Sequence, residues 1–232
     1  MAPWIFNCCR YATLALLLCL PGFNAATAAN EDLKIPNLGE SSTSLFSADY
    51  EYELGRMWLR SFRGQAPLVT DPLLYGYLEN LVFELVQHSE LQDRRIELVI
   101  VDNPTINAFA VPGGVIGVHN GLFNYAVTED EFATVMAHEI AHISQRHFSR
   151  RMEQAQEQGP MQLAALLASV LLAATVGSDA GLAAMTTAQG LAQDAQLRYS
   201  RANEAEADRV GLRTLYNAGM DPYAAPQMFE RM

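Results

Sequence analysis

Cysteine is absent beyond position 19: all three in the chain, Cys8, Cys9 and Cys19, stand near its start. If that segment is cleaved on export, the remainder can hold neither a disulfide framework nor a thiolate zinc site. Basic residues are also scarce. The 15 Lys and Arg are outnumbered by 26 Asp and Glu, a formal net charge of −11, which repels a nucleic-acid backbone on average, so no nucleic-acid partner is expected. Long apolar runs are lacking too. Met161 to Val176 is uncharged and rich in Leu and Ala, but as a helix it would rise only about 24 Å, short of the roughly 30 Å hydrocarbon core of a bilayer. It is not expected to span. No internal repeat is visible and, apart from that run, no low-complexity tract.

What is present suffices for one folded domain. A chain of 232 residues, 50% apolar and 18% charged, fits a globular protein with a substantial core rather than a disordered one. The first thirty residues carry a single charge, Arg10, followed by the apolar Tyr11 to Leu20 and the small residues Ala26-Thr27-Ala28, the layout of a secretory signal. Residues 1–28 are therefore expected to be a removed signal peptide, 29–46 an extended polar leader, and 47–232 the functional domain. Leu18 precedes Cys19 where a lipidation site would have a small residue, so no lipid anchor is expected.

The elements point to an α+β domain, mainly helical. Leu54, Trp58 and Phe62 at four-residue spacing predict a helix over Asp49 to Phe62. Asp71-Pro72 opens a second, with a capping carboxylate and proline at the first helical position, and Leu74, Leu78, Leu81, Val82 and Leu85 as its buried stripe. Ile96 to Val101 reads as a strand, and a further extended stretch from Ala108 to Val118 surrounds the Pro112-Gly113-Gly114 turn. Thr128-Glu129-Asp130-Glu131 is a capping box. The helix it starts is expected to run through Phe132, Val135, Met136 and Ile143 towards Arg151. Asn203 to Ala218 predicts a later helix stopped by Gly219, and Asp221-Pro222 the start of another.

Chemistry concentrates in His138-Glu139-Ile140-Ala141-His142. Four residues apart on a helix, the two imidazoles share a face and can share a cation, while Glu139, turned about 100° away, can reach a metal-bound water without ligating. The bland alternative is a pair of surface histidines. A catalytic zinc site needs a third protein ligand and an open position. The metzincin spacing would put histidine at 148 and glycine at 145, where Phe148 and Gln145 stand. His147 is out of register and reads as a surface or supporting histidine. A later helix offers Glu204, Glu206 and Asp208. Glu204 and Asp208 share a face that Glu206 does not, so Glu204 is the expected ligand, with Asp208 free to fix a ligand histidine's tautomer. Without the His-Glu-x-x-His helix, this cluster would read as a solvated acidic face.

Taken with Gly55 to Leu59, Asp71 to Leu74, Asn107 to Ala110, Pro112 to Gly114 and Ser200 to Asp208, these motifs resemble peptidase family forty-eight, the gluzincins, and its periplasmic branch most of all. The resemblance implies a gluzincin metalloprotease domain with a small β-sheet beside the active-site helix and one Zn2+ per chain on His138, His142 and Glu204. It implies Glu139 as general base, and a sheet edge at Asn107, Ala108, Phe109 and Ala110 along which substrate lies. Unfolded or misassembled envelope proteins in the periplasm are the implied substrates, with the outer-membrane assembly machinery as a partner. Periplasmic members continue into tetratricopeptide repeats, so the chain reads as a short relative or a fragment. Arg201 is a weak candidate for a second oxyanion stabiliser. Met161 to Val176 either packs under the zinc site, its tip at Gly177 to Gly181 covering the active site, or lies against a membrane surface. The absence of charge on any face favours burial. The competing functional readings are a proteolytically silent, chaperone-like zinc protein and an integral membrane protease.

Overall fold

The computed structural model describes residues 46–176 and 193–231. The expected signal peptide, the leader up to Leu45, and the tip at Gly177 to Gly181 lie outside the described residues. Helix α1 (Ala48–Arg63) starts at Ser47, whose hydroxyl accepts from Tyr50 N–H, and α2 (Pro72–Gln87) starts at Asp71, whose carboxylate accepts from Leu73 and Leu74 N–H. Strands β1 (Glu97–Val101), β2 (Ala108–Val111) and β3 (Val115–His119) form one sheet in the order β1-β3-β2. A short helix that the sequence did not announce, α3 (Asn120–Tyr125), leads into α4 (Glu129–Ser144). There follow α5 (His147–Glu157), α6 (Pro160–Val176), α7 (Gln193–Asn217) and α8 (Ala224–Phe229).

Strand β3 pairs parallel with β1 and antiparallel with β2. The hairpin between β2 and β3 turns at Gly113 and Gly114, with φ of 75° and 76°, a conformation that residues with a Cβ adopt only under strain. Alternation along the strands sorts side chains onto two covered faces. Leu98, Ile100, Ile116 and Val118 meet Leu78, Leu85, Met136 and Ile140 of α2 and α4. Val99, Val101, Val111 and Val115 meet Leu59 and Phe62 of α1 and Ala174 of α6. The sheet thus lies between helical layers. The outer edge of β1 is covered by residues 67–69, where Val69 N–H donates to Ile100 and Asp102 N–H to Pro67.

Two expectations need correction. The His-Glu-x-x-His helix does not run on towards Arg151: α4 stops at Ser144, and Arg146, with φ of 53° and ψ of 36°, breaks it before α5 begins. No glycine or proline marks the break. Helix α6 is buried on one face only. It rests on α5 through Leu166 and on β2 through Ala174, and Ser169 is buried too, whereas Met161, Ala164, Ala165 and Ala168 are exposed. Among the described residues no helix is long and apolar enough to cross a membrane.

Candidate active site

Thr128 caps α4 as the box predicts, its Oγ1 accepting from Glu131 N–H at 3.2 Å, while the Glu131 carboxylate accepts from Val127 N–H at 2.7 Å. Glu131 is also paired with Arg231, tying the turn just after the helix Ala224–Phe229 to the start of α4. From this fixed start, Phe132, Met136 and Ile140 point into the core, which leaves His138 and His142 on the face towards α7.

Helices α4 and α7 pair more extensively than any other two elements among the described residues. Their seam is made of small side chains: Ala141 packs with Ala207 and Val210, and Gly211 lies against the backbone of Ala137 and His138. This close approach brings the Glu204 carboxylate to 3.4 Å from Nε2 of both His138 and His142, whose Nε2 atoms are themselves 2.9 Å apart. Donors about 2.05 Å from a tetrahedral ion sit roughly 3.35 Å from one another. The two contacts to Glu204 match that edge, and the pair of nitrogens is somewhat tighter. The three donors lie within 4.8 Å of one another, and they fit one zinc ion.

Each histidine is also held from behind. Asp208, one turn beyond Glu204, places Oδ1 2.9 Å from His138 Nδ1. His147 places Nδ1 2.9 Å from His142 Nδ1 and Nε2 3.1 Å from Glu206, which also accepts from Arg150 at 3.0 Å. The imidazoles of His138 and His142 remain 24% and 21% exposed and the Glu204 side chain 53% exposed. The three side chains are therefore open to solvent, whereas a structural zinc site is closed.

Burial works against the His138 cation, but Glu204, Glu139 and Asp208 outweigh it and hold that imidazole up at about 9. Hydrogen bonds from His138 and His142 keep the Glu204 carboxyl well below the usual range. Burial raises the Glu139 carboxyl, a shift that the two histidines oppose and Glu204 reinforces. Burial drives His147 down to about 4, leaving it neutral near pH 7. At Glu206 burial is opposed, and outweighed, by Arg150 and His147.

The expected substrate edge has a specific form. His119 N–H donates to Asn107 at 2.9 Å, so with the observed register Phe109 and Val111 also face β3, and the backbone groups of Ala108 and Ala110 point outward. The Phe109 ring turns instead into the sheet's inner face, against Trp58 and Phe62. The Asn107 amide is 3.5 Å from His119 Nε2, the outer limit for a hydrogen bond. Arg201 is exposed on α7. The supporting function of His147 was open in the sequence but its depth was not, because helical phase assumes an unbroken helix.

A His-Glu-x-x-His helix with a glutamate from a second helix close to both imidazoles, beside a sheet edge that is unpaired among the described residues, is the arrangement of a metallopeptidase. The family model described as peptidase family M48 matches residues 72–231, and the chain belongs to that family. A protein of Vibrio cholerae is 39% identical over 214 residues, covering 92% of this chain and 43% of that protein. The beta-barrel assembly-enhancing protease of Escherichia coli K12 is 37% identical over 221 residues, 95% of this chain and 45% of its own length. More distant is the mitochondrial metalloendopeptidase OMA1 of Schizosaccharomyces pombe, 32% identical over 156 residues, 67% of this chain and 43% of its own. The chain thus spans less than half the length of these relatives.

Proposed function

We propose that this domain is a zinc-dependent endopeptidase of gluzincin type, in which His138, His142 and Glu204 hold one Zn2+ and Glu139 is the general base. The observation that carries this reading is the Glu204 carboxylate, 3.4 Å from both imidazoles although it comes from a separate helix. Zinc at such a site supplies Lewis acidity, bringing the pKa of a coordinated water to about 7 and polarising a peptide carbonyl. Glu139, next to His138 and raised by burial, takes the proton as water attacks and returns it to the leaving amine. Asp208 accepts from His138 Nδ1–H and keeps that ring's Nε2 turned to the donor set.

The outward backbone of Ala108 and Ala110 suits antiparallel pairing with an extended peptide, a mode that draws affinity from main-chain bonds and asks little of sequence. Unfolded chains meet that requirement. With the names of the bacterial relatives and the secretory pattern around Arg10 to Ala28, this supports misassembled outer-membrane or envelope proteins as substrates. The same features favour the periplasm as location and the outer-membrane assembly machinery as partner. The exposed Met161, Ala164, Ala165 and Ala168 offer an apolar face to a membrane surface.

The test is proteolysis of an unfolded protein such as casein, with metal analysis, for wild type, Glu139→Gln and Glu204→Ala. Glu139→Gln should keep zinc and lose activity, because the amide keeps the shape but cannot accept the proton. Glu204→Ala should lose zinc. A Glu139→Gln protein as active as wild type would refute the assignment, and a zinc-loaded wild type without activity would favour the silent, chaperone-like alternative.

A further inference from the structure

His147 lies five residues beyond His142. On an unbroken helix it would sit about 140° around the axis, pointing away. The left-handed backbone of Arg146 instead turns it back, and it is only 3% exposed, with Nδ1 2.9 Å from His142 Nδ1. An imidazole that offers Nε2 to a metal carries its proton on Nδ1. His142 must then donate and His147 Nδ1 accept, which puts the His147 proton on Nε2, facing Glu206 at 3.1 Å. Glu206 is fixed in turn by Arg150 at 3.0 Å, with Arg209 at 3.9 Å. The hydrogen bonds run in one direction, from His142 through His147 to a carboxylate anchored by arginine.

We propose that His147, backed by Glu206 and Arg150, is a positioning residue that fixes His142 in its Nδ1-protonated tautomer with Nε2 directed at the metal. The inference rests on reading His142 as a ligand. It makes the two ligand histidines unlike: His138 is backed directly by the Asp208 carboxylate, and His142 by a neutral imidazole that passes the interaction on. Glu206, which points away from the donor set, thereby has a function distinct from that of Glu204.

The experiment measures zinc affinity by competition with a chelating indicator, and the visible absorption spectrum of the Co2+-loaded protein, for the full chain. The variants are His147→Leu, His147→Gln, Glu206→Met and His142→Ala, each checked for folding by circular dichroism. His147→Leu should weaken zinc binding by about 10 to 100-fold and alter the cobalt spectrum. His147→Gln, whose amide oxygen can accept the same proton, should recover much of that loss. Should His147→Leu fail to fold, the half-buried Glu206→Met carries the test, with weaker zinc binding and an altered cobalt spectrum expected. A folded His147→Leu or Glu206→Met protein that keeps wild-type zinc affinity and cobalt spectrum overturns the proposal. If His142→Ala retains zinc, the ligand reading has failed and the relay falls with it. If His142→Ala loses zinc while His147→Leu does not, only the relay is refuted.

Discussion

Gly211 is a point of close approach between α7 and α4. A Cβ built there would stand 3.1 Å from both Cα and N of His138 and 3.2 Å from the carbonyl carbon of Ala137, all of them backbone atoms that cannot rotate aside. Carbon atoms pack at about 3.5–4.0 Å, so Gly211→Ala requires the helices to separate by a few tenths of an ångström. Overpacking of this kind costs about 1–3 kcal/mol, whereas replacing a helical glycine by alanine returns about 1 kcal/mol. The expected net is a loss of about 1 kcal/mol, or about 2–4 °C in melting temperature for a chain of this size.

The effect on metal should exceed the effect on stability. Glu204 precedes Gly211 by seven residues, two helical turns, and so shares its face; lifting α7 draws the carboxylate away from two imidazoles it now meets at 3.4 Å. Thermal melting of the metal-free protein and zinc titration would be run side by side for Gly211→Ala and Gly211→Val. Zinc affinity should fall on the order of tenfold for alanine, as for changes that disturb ligand orientation, and further for valine. An alanine variant that melts above wild type and binds zinc equally well would refute the reasoning, because it would show that the seam yields and does not set the position of Glu204.

Asp208→Asn keeps every donor in place and should weaken zinc binding or activity about 10 to 100-fold, with an unchanged affinity and rate refuting its support of His138. Zinc affinity should rise about tenfold per pH unit from 6.5 towards 9, because His138 holds a proton up to about 9 that the metal must displace. The same raised pKa stabilises the metal-free fold fully below pH 6.5 and is lost as pH rises through 9, so its melting temperature should decline over that window while pH-independent zinc binding would contradict both. On α6, Leu166→Asp should cost several kcal/mol by placing an unpaired charge at a buried site, whereas the exposed Ala168→Asp should leave melting within about 0.5 kcal/mol of wild type. If Ala168→Asp abolishes association with anionic lipid vesicles while Ser47→Ala does not, the exposed face of α6 meets membrane; vesicle binding unchanged by Ala168→Asp would exclude that.

The features readable in advance are those whose cause is short-range. Asp71 and Thr128 cap helices through their own side chains, and the stripe from Leu78 to Leu85 and the β-branched run of β1 declare their period within a few residues. His138 and His142 follow from spacing on one helix. Glu204 and Asp208 could be chosen over Glu206 because helical phase alone separates them. Where phase was extended across Arg146 it failed. That residue carries no turn chemistry of the usual kind, and its left-handed backbone is held by tertiary contacts, its guanidinium reaching Phe46 and Glu51 near the start of α1. Helix α3 was missed for a related reason: its cap residue, His119, makes no capping side-chain bond, and the helix is too short to show a period.

The least legible feature is the one on which the donor set most depends. Ala137 and Ala141 on α4, and Ala207 and Gly211 on α7, each recur at four-residue spacing, and in isolation such pairs mark only favourable helix composition. Their meaning is joint. Nothing within either segment says that the small face of one will meet the small face of the other across more than sixty residues, and only that meeting brings α7 near enough for a glutamate to reach two imidazoles. A larger residue on either side would leave each helix intact and its motif readable, while drawing Glu204 away from the imidazoles. The His-Glu-x-x-His pattern therefore specifies which groups can bind a cation, and the seam decides whether they do; Gly211→Val, which alters no donor and no backing partner, separates these two contributions in a single zinc titration.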